Sequence, residues 1–318
     1  MTGHFFVLLL SGYKKIFHFD YLHKVKSLVY YKQQIKNEVF PMKKYPKILT
    51  IQDISCVGQC SLTVALPVIS ACGIETAVLP SAVLSTHTAG FSGYTFRDLT
   101  DDMPAICEHW QKENITFDAI YTGYLGSTKQ IDYVCNIIDT CSGAGSVSVI
   151  DPAMADHGKL YPGFDAAFVE AMKGLCAKAD YVLPNLTEAC LLTGIEYTTD
   201  YDRAYIDRIV AGLHALGAKN VVFTGVSFAE GRTGVLVSGA DGVSYYEHEF
   251  LPNSCHGTGD IYSSAFTGAL VRGKTAADAA RIAADYTVEC IKETAGDKDH
   301  WYGARFEPVL GKLIEMLA

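Results

Sequence analysis

The sequence predicts an α/β fold in which helices cover both faces of a mostly parallel sheet, and three observations lead to it. The chain has 318 residues, 49% of them hydrophobic and 19% charged, which suffices for a well-buried core. From Lys47 onward, short apolar runs alternate with segments of helical period, which is the pattern of βαβ units. The apolar runs are nearly continuous, as in strands that are buried on both faces.

The predicted elements follow one another in a regular order. The strands are Ile48–Gln52, Thr76–Leu79, Ala119–Tyr124, Val147–Ile150, Tyr181–Leu183 and Asn220–Thr224. The helices between them include Ser61–Cys72, Thr128–Thr140, Asp165–Lys178 and Arg203–Leu216. Two further strands, Arg232–Ser238 and Val243–Phe250, flank an Asp-Gly turn and predict an antiparallel hairpin near the C-terminal part. The last two predicted helices are Asp260–Val271 and Thr275–Thr294.

Charge divides the chain near residue 47. Residues 1–47 contain nine lysines and only Asp20 and Glu38 as acids, whereas the whole chain has a formal net charge of −9. We therefore expect residues 1–46 to be an extension outside the fold, residues 47–318 to form one domain, and the functional chain to begin at Met42. A targeting or membrane-tethering segment is the alternative interpretation of these first residues.

Composition also restricts the partners and the compartment. The negative net charge argues against a nucleic acid or an anionic membrane as the main partner. The sequence contains no run of about 18 apolar residues that would span a membrane. Its ten cysteines are dispersed between Cys56 and Cys290, which is typical of reduced thiols in a cytoplasmic protein.

A glycine-rich turn stands immediately before an apolar helix, at His256-Gly257-Thr258-Gly259-Asp260. Two glycines separated by one residue let backbone N–H groups turn toward a common point, and the helix adds its own free N–H groups. Together they form a cradle for an anion such as a phosphoryl group in transfer. An acid at the mouth of that cradle can accept a proton from a substrate hydroxyl. The structural alternative is a turn followed by an Asp that caps the helix.

Acidic and amide side chains follow two other predicted strands. Asp151 comes directly after the fourth strand, and Asn185 and Glu188 follow the fifth. Ligands collect at the carboxyl ends of the strands in open parallel sheets. These three residues are therefore candidates to surround Mg²⁺, directly or through water, beside a nucleotide phosphate. The structural alternative is a pair of strand-to-helix loops in which Asn185 caps a helix.

Polar groups and aromatic rings occupy two more loops, Ser85–Phe91 and Thr122–Ser127. Such groups at strand ends suit a small aromatic ligand. A single loop histidine such as His87 is more often structural or solvated, so this signal is the weakest of the three. The sequence has neither a GxxxxGK[ST] loop nor a GxGxxG fingerprint, which excludes the P-loop and dinucleotide-binding architectures.

Taken in order, these segments resemble the pyridoxal/pyridoxamine kinase family of the ribokinase-like superfamily, from about Lys47 to about Leu317. The matching segments are Ile51-Gln52, Ser85–Thr88, Thr122–Ser127, Asp151-Pro152, Pro184–Glu188, Thr224 and Gly257–Asp260. The resemblance implies a three-layer α/β/α sandwich, ATP as phosphoryl donor with Mg²⁺, and a homodimer. The implied acceptor is the 5′-hydroxymethyl group of pyridoxal, pyridoxine or pyridoxamine. A monovalent cation is left open as a further cofactor.

The resemblance also implies roles for individual residues. Asp260 is implied to be the base that acts on the 5′-hydroxyl, and the anion hole to consist of Gly257, Thr258 and Gly259. The implied ATP-binding residues are Asp151, Asp156, Tyr161, Asn185, Glu188 and Thr224. Asp151 and Glu188 are also implied to lie at the metal. The residues implied to line the vitamer pocket are Asp53, His87, Thr88 and Tyr124.

Two positions depart from the family pattern, and two other functions remain open. Asp53 stands where a serine often hydrogen-bonds the pyridine ring, and Leu183 stands where a threonine often precedes the proline. The first departure bears on the choice among vitamers and the second on nucleotide affinity. One alternative function is hydroxymethylpyrimidine kinase, whose first strand typically ends in a Gly-rich loop that is absent here. The other is a catalytically inactive protein that binds vitamin B6.

Overall fold

The computed structural model describes residues 45–252 and 255–318, so the prediction for residues 1–46 lies almost wholly outside it. The strands are β1 (Lys47–Ser55), β2 (Glu75–Leu84), β3 (Phe96–Asp98), β4 (Phe117–Thr122), β5 (Ser142–Ile150), β6 (Ala155–Asp156), β7 (Lys159–Leu160), β8 (Tyr181–Val182), β9 (Asn220–Val226), β10 (Arg232–Gly239) and β11 (Gly242–Glu249). The helices are α1 (Leu62–Ala71), α2 (Met103–Lys112), α3 (Thr128–Cys141), α4 (Ala166–Lys178), α5 (Leu186–Thr193), α6 (Arg203–Leu216), α7 (Thr258–Val271), α8 (Ala276–Thr294) and α9 (Leu310–Leu317), with a 3₁₀ turn at Glu307–Val309.

One large sheet organises the described residues. Its spatial order is β11-β10-β9-β8-β5-β4-β1-β2-β3, and β6 and β7 form a separate small hairpin. The six strands from β9 to β2 in this order pair in parallel, whereas β3, β10 and β11 join antiparallel to their neighbours. The predicted mostly parallel sheet and the predicted hairpin β10–β11 are both confirmed.

Helices cover the sheet on both sides and enclose two separate cores. One core packs α2 to α6 against side chains such as Leu49, Ile51 and Ile120. The other packs α1, α7, α8 and α9 against side chains such as Ile48 and Tyr121. Successive residues of β1 enter opposite cores, because side chains alternate across a strand. This is the predicted three-layer α/β/α sandwich.

Most predicted elements agree with the structure to within a few residues, but β2, β5 and β1 are longer than expected. Strand β1 continues through Asp53 to Ser55, so Asp53 lies inside the strand rather than in the loop after it. The sequence analysis also missed β3, α2, the β6–β7 hairpin and α9. Strand β3 has only three residues, all exposed. Helix α2 buries Met103 and Cys107, and with Ile106 and Trp110 these residues follow a helical period that the sequence analysis overlooked.

The carboxyl ends of the parallel strands bring the predicted site residues to one edge of the sheet. Asp53 lies near the end of β1, Gly123 follows β4, Asp151 follows β5, and Asn185 begins the helix after β8. This is the edge at which an open parallel sheet binds ligands. Within the part of the chain that the structure describes, no helix is both long and apolar enough to cross a membrane.

Candidate active site

The glycine-rich turn forms the start of α7 in a fixed position. Gly257 is the N-cap residue and has a φ of 77°, which glycine adopts without strain. A Cβ atom at this position would lie 1.7 Å from the backbone oxygen of Gln59. The backbone oxygen of His256 accepts a hydrogen bond from the N–H of Ala304 at 3.1 Å. The turn is therefore held on two sides, and the free N–H groups of the first helical turn lie beside Asp260.

Asp260, in the first turn of α7, has a carboxyl group tuned close to neutral pH. Its pKa is raised to about 7, chiefly by burial; the Ser61 backbone N–H lowers it, and the carboxylates of Asp151 and Asp53 raise it. A carboxylate with such a pKa is well suited to accept a proton near pH 7. The structure places Asp260 in the first turn of α7 beside the glycine-rich turn, and the roles of base and anion cradle remain predictions.

Ser61 joins the two carboxylates of this region, and the sequence analysis missed it. It precedes α1 with a φ of 55° and a ψ of −132°, a conformation that non-glycine residues rarely adopt. A serine before a helix normally caps the helix with its hydroxyl, but here no side-chain cap bond forms. The hydroxyl instead lies close enough to the carboxylate of Asp53 to lower its pKa, and the backbone N–H lowers the pKa of Asp260. Strained backbone of this kind is concentrated at functional sites.

The strain at Ser61 gives a testable expectation for stability. We expect Ser61→Gly to be more stable than Ser61→Ala by about 1 kcal/mol, because both lose the hydroxyl but only glycine tolerates the positive φ. Urea denaturation of the two variants would measure the difference. Glycine is preferred over alanine even at an ordinary helix N-cap, so equal stabilities of the two variants would show that the backbone at Ser61 is not strained.

Asp53 and Tyr124 face the same part of the site. Asp53 is 5% exposed, accepts a hydrogen bond from the Ser55 hydroxyl at 3.0 Å, and has a pKa raised chiefly by burial. The pairing register between β1 and β2 shifts opposite Asp53, between Gln52 and Ile54. Such irregularities re-aim a side chain at the end of a strand. Burial raises the pKa of Tyr124 to about 12, with the Asp53 carboxylate as the next cause.

His87 uses both ring nitrogens within the chain. Its Nε2–H donates to the backbone oxygen of Tyr302 at 2.6 Å, and its Nδ1 accepts from the N–H of Ala89 at 3.2 Å. The ring lies 5.0 Å from the Phe91 ring and 5.4 Å from the His256 ring, measured between centroids. Any contact of His87 with a ligand would therefore use the face or edge of the ring. Thr88 is exposed beside it.

Two buried acids lie on the nucleotide side of the predicted site. One oxygen of Asp151, Oδ2, accepts from the hydroxyl of Ser263 at 2.8 Å, three residues after Asp260 on the same helix. Burial raises the pKa of Asp151 to about 6. The pKa of Glu188 lies well above its usual range, first through burial and then through the Asp151 carboxylate. A cation between these two acids would relieve both effects.

Asn185 and Glu188 form a capping box at the start of α5. The side-chain oxygen of Asn185 accepts from the N–H of Glu188, and Oε2 of Glu188 accepts from the N–H of Asn185, both at 2.9 Å. Oε1 of Glu188 accepts from the N–H of Met154 at 3.2 Å. The structural alternative for Asn185 is thus realised, and both oxygens of Glu188 are engaged with backbone groups.

These contacts bear on the predicted magnesium ion. The described residues contain no group of three or more His, Cys, Asp or Glu side chains placed to hold a metal. Mg²⁺ needs no such cage, because it keeps several waters and is usually bound by one or two carboxylates together with substrate phosphates. Asp151 fits as a ligand of this kind, and Glu188 fits as a second negative charge behind it. Mg²⁺ bound there would neutralise phosphate charge during transfer.

The remaining predicted nucleotide residues lie around these acids. The N–H of Tyr161 donates to the backbone oxygen of Met154 at 2.8 Å, and burial followed by the Glu188 and Asp156 carboxylates raises the pKa of its phenol. Asp156 is exposed on the β6–β7 hairpin and accepts from the N–H of His157. The Thr224 hydroxyl donates to the backbone oxygen of Pro184 at 3.2 Å, which places it beside the loop that carries Asn185. The nucleotide-binding roles of these residues remain predictions.

Comparison with known proteins decides the family. The family model described as phosphomethylpyrimidine kinase matches residues 66–304. The chain belongs to this family. A structure of a putative phosphomethylpyrimidine kinase from Bacteroides thetaiotaomicron, in a form with pyridoxal, is 37% identical, covers 85% of this chain and 96% of that one, and has a TM-score of 0.80. The pyridoxal kinase from Lactobacillus plantarum is 32% identical, with a TM-score of 0.79 and coverage of 85% and 97%.

Curated relatives with the other substrate also match this chain. The hydroxymethylpyrimidine/phosphomethylpyrimidine kinase of Bacillus subtilis is 26% identical over 68% of this chain and 78% of its own length. The protein is therefore a kinase of the phosphomethylpyrimidine and pyridoxal kinase family with a ribokinase-like fold, as the sequence motifs indicated. The family alone does not specify which of the two ring systems is the acceptor.

Proposed function

We propose that this kinase transfers the γ-phosphoryl group of ATP to the 5′-hydroxymethyl group of pyridoxal, pyridoxine or pyridoxamine. Asp260 removes the proton from the acceptor hydroxyl, while the N–H groups of Gly257, Thr258 and Gly259 stabilise the charge on the transferring group. Asp151, with Glu188 behind it, holds the Mg²⁺ and phosphate region, and Ser263 fixes the orientation of Asp151. The homodimer and the cytoplasmic location implied by the resemblance remain predictions.

The arrangement of Asp53, Ser61 and Asp260 is the observation that carries this proposal. It links one carboxylate at the predicted ring pocket to another at the phosphoryl cradle through a single strained residue. A ring held at Asp53 with a short hydroxymethyl arm directed toward Asp260 matches this layout. The 3-hydroxyl group and the protonated ring nitrogen of a B6 vitamer are both donors that a carboxylate accepts.

A kinase assay across acceptors tests the proposal. The purified chain is given MgATP with pyridoxal, pyridoxine, pyridoxamine or hydroxymethylpyrimidine, and ADP release and the phosphorylated product are measured for each. We expect kcat/KM to be at least tenfold higher for one of the vitamers than for the pyrimidine. ATP turnover with none of the four would indicate an inactive binding protein and would overturn the proposal.

Hydroxymethylpyrimidine kinase is the second candidate function. The matching family model and the Bacillus subtilis relative both favour it. Against it stands the segment from Asp53 to Ser61, which lacks the run of glycines expected after the first strand of such kinases. Preferential turnover of the pyrimidine in the same assay would select this candidate.

Asp53 is expected to contribute mainly to vitamer binding. Asp53→Ala should raise KM for the preferred vitamer about tenfold, because the loss of one charge-assisted hydrogen bond costs about 1.5 kcal/mol. KM for ATP should change little, since Asp53 lies at the end of β1 and away from Asp151 and Glu188. Steady-state kinetics with each substrate varied in turn provide the measurement.

Asp53→Asn is the matched variant for this test. It keeps the shape and can still accept from Ser55, but it removes the charge. If the negative charge of Asp53 determines vitamer binding, the Asn variant will lose affinity for a vitamer with a protonated ring nitrogen and retain more affinity for the others. Equal increases in KM for vitamer and ATP in both variants would remove Asp53 from the ring pocket.

A further inference from the structure

Two thiols lie in contact between α2 and α3, outside the site described above. The Sγ atoms of Cys107 and Cys141 are 3.9 Å apart, and both side chains are buried. Neither residue has a role in the proposed phosphoryl transfer. We propose that Cys107 and Cys141 form a reversible modification site, a dithiol that a peroxide oxidises to a disulfide.

A groove gives this pair access to small molecules. The groove has a volume of about 420 Å³ and runs between α2 and α3, with Cys107 in its wall. Two amide groups of the groove point at the Cys107 sulfur: Nε2 of Gln111 at 3.3 Å and Nδ2 of Asn136 at 3.9 Å. Cys107 therefore packs on the core and at the same time lies in the wall of a space that is large enough for a peroxide.

Cys141 is placed as the second thiol of the pair. It is the last residue of α3 and is fully buried, whereas Cys107 borders the groove. Burial raises the pKa of the Cys141 thiol, so this thiol keeps its proton until Cys107 has been oxidised. Cys107 is thus the residue that meets the oxidant, and Cys141 is the residue that resolves the product.

The reaction balances with a peroxide as the oxidant. The thiolate of Cys107 attacks one oxygen of hydrogen peroxide, the O–O bond breaks, and the other oxygen takes up a proton and leaves as water. The sulfur of Cys141 then attacks the sulfenic acid on Cys107, forms the S–S bond and loses its proton, and the hydroxyl leaves as a second water. The two thiols lose two electrons in total, and the peroxide gains them.

Bond formation requires the two sulfur atoms to approach to about 2.05 Å. Helix α2 itself is anchored, because Met103 and Cys107 are buried and Ile106 and Trp110 pack against the same core. The 3.9 Å gap between the sulfur atoms is therefore closed by rotation of the two cysteine side chains with local adjustment of the backbone. In a reducing compartment such a disulfide would be transient, as cytosolic disulfides usually are.

Peptide mapping after oxidation tests the proposal. The full chain is treated with hydrogen peroxide, alkylated, digested with trypsin without reduction and analysed by mass spectrometry. Cleavage at Arg97, Lys112, Lys129 and Lys159 places Cys107 in fragment 98–112 and Cys141 in fragment 130–159, which also contains Cys135. We expect these two fragments to be joined and to separate on treatment with dithiothreitol. We also expect the oxidised chain to have a Tm a few degrees higher than the reduced chain.

Single substitutions identify the thiols. Cys141→Ser should abolish the joined fragments, whereas Cys135→Ser, on the same helix and in the same fragment, should retain them. If Cys141→Ser does not fold, phenylarsine oxide binding to the wild-type chain, mapped to the same two fragments, provides the second measurement. Unjoined fragments at peroxide levels that oxidise the exposed Cys56, or a link that persists in Cys141→Ser, would overturn the proposal.

Discussion

Replacing Asp260 with asparagine should lower kcat by about 10²–10⁴-fold and leave KM for ATP nearly unchanged. The substitution keeps the size of the side chain but removes the group that accepts the proton, and general-base catalysis contributes about this factor. Because burial and two neighbouring carboxylates raise the pKa of Asp260 to about 7, wild-type kcat should rise with pH through that value. The Asn variant should show no such rise. A variant that keeps more than half of wild-type kcat would exclude Asp260 as the base.

The thermal stability of the Asp260→Asn variant, measured against pH, is the control for the kinetic experiment, because it shows whether the variant is folded and properly packed. The Asp260 carboxyl has a higher pKa in the folded protein than the ordinary value of 3.8, so ionisation favours the unfolded chain. Its contribution to stability is therefore present at low pH and is lost as the pH rises toward about 7. The variant lacks this titration, so its Tm relative to wild type should increase between pH 4 and pH 7 and stay higher above that.

The sequence was sufficient to predict the layered fold because the parallel strands and most helices carry strong periodic patterns. The strands that lie between two cores are nearly continuous runs of apolar residues, and α6 has the predicted bounds Arg203–Leu216. The elements that escaped prediction have little buried surface. Strand β3 is held by pairing to β2 at the edge of the sheet, and α2 is a short helix that fully buries only two side chains. Tertiary contacts rather than local pattern determine β3, whereas α2 carries a helical apolar period that was overlooked.

The candidate site was predictable as a set of residues but not as a set of contacts. The motifs indicated Asp151, Asn185, Glu188 and Asp260, and the sheet brings them to one edge. No sequence pattern could show that one ring nitrogen of His87 contacts the backbone of Tyr302, more than 200 positions away, and the other the backbone of Ala89. The packing of the loops determines both contacts. Ser61 was missed for a similar reason. In the sequence, Ser61 has the pattern of an ordinary helix N-cap, and only its backbone angles in the structure reveal the strain.

The substitution Gly257→Ala should disable the anion cradle without touching any charged group. The added Cβ would lie 1.7 Å from the Gln59 backbone oxygen, and the φ of 77° is unfavourable for alanine. Either the start of α7 or the loop at Gln59 must move, and the N–H groups that stabilise the phosphoryl group move with it. The loss of one such donor typically costs about 10²–10³-fold in kcat. We expect a fall of that size together with a lower Tm.

Gly296→Ala separates the effect of the clash from the effect of the backbone angle. Gly296 also has a positive φ, of 86°, but a Cβ atom there would meet nothing within 4 Å. It follows α8 and has no place in the proposed active site, so its substitution should lower Tm slightly and leave kcat unchanged. The comparison is made by steady-state kinetics and thermal denaturation of both variants. If Gly257→Ala lowers kcat no more than Gly296→Ala does, the close packing of Gly257 on Gln59 does not set the geometry of the cradle. Phosphoryl transfer must then depend on other hydrogen-bond donors.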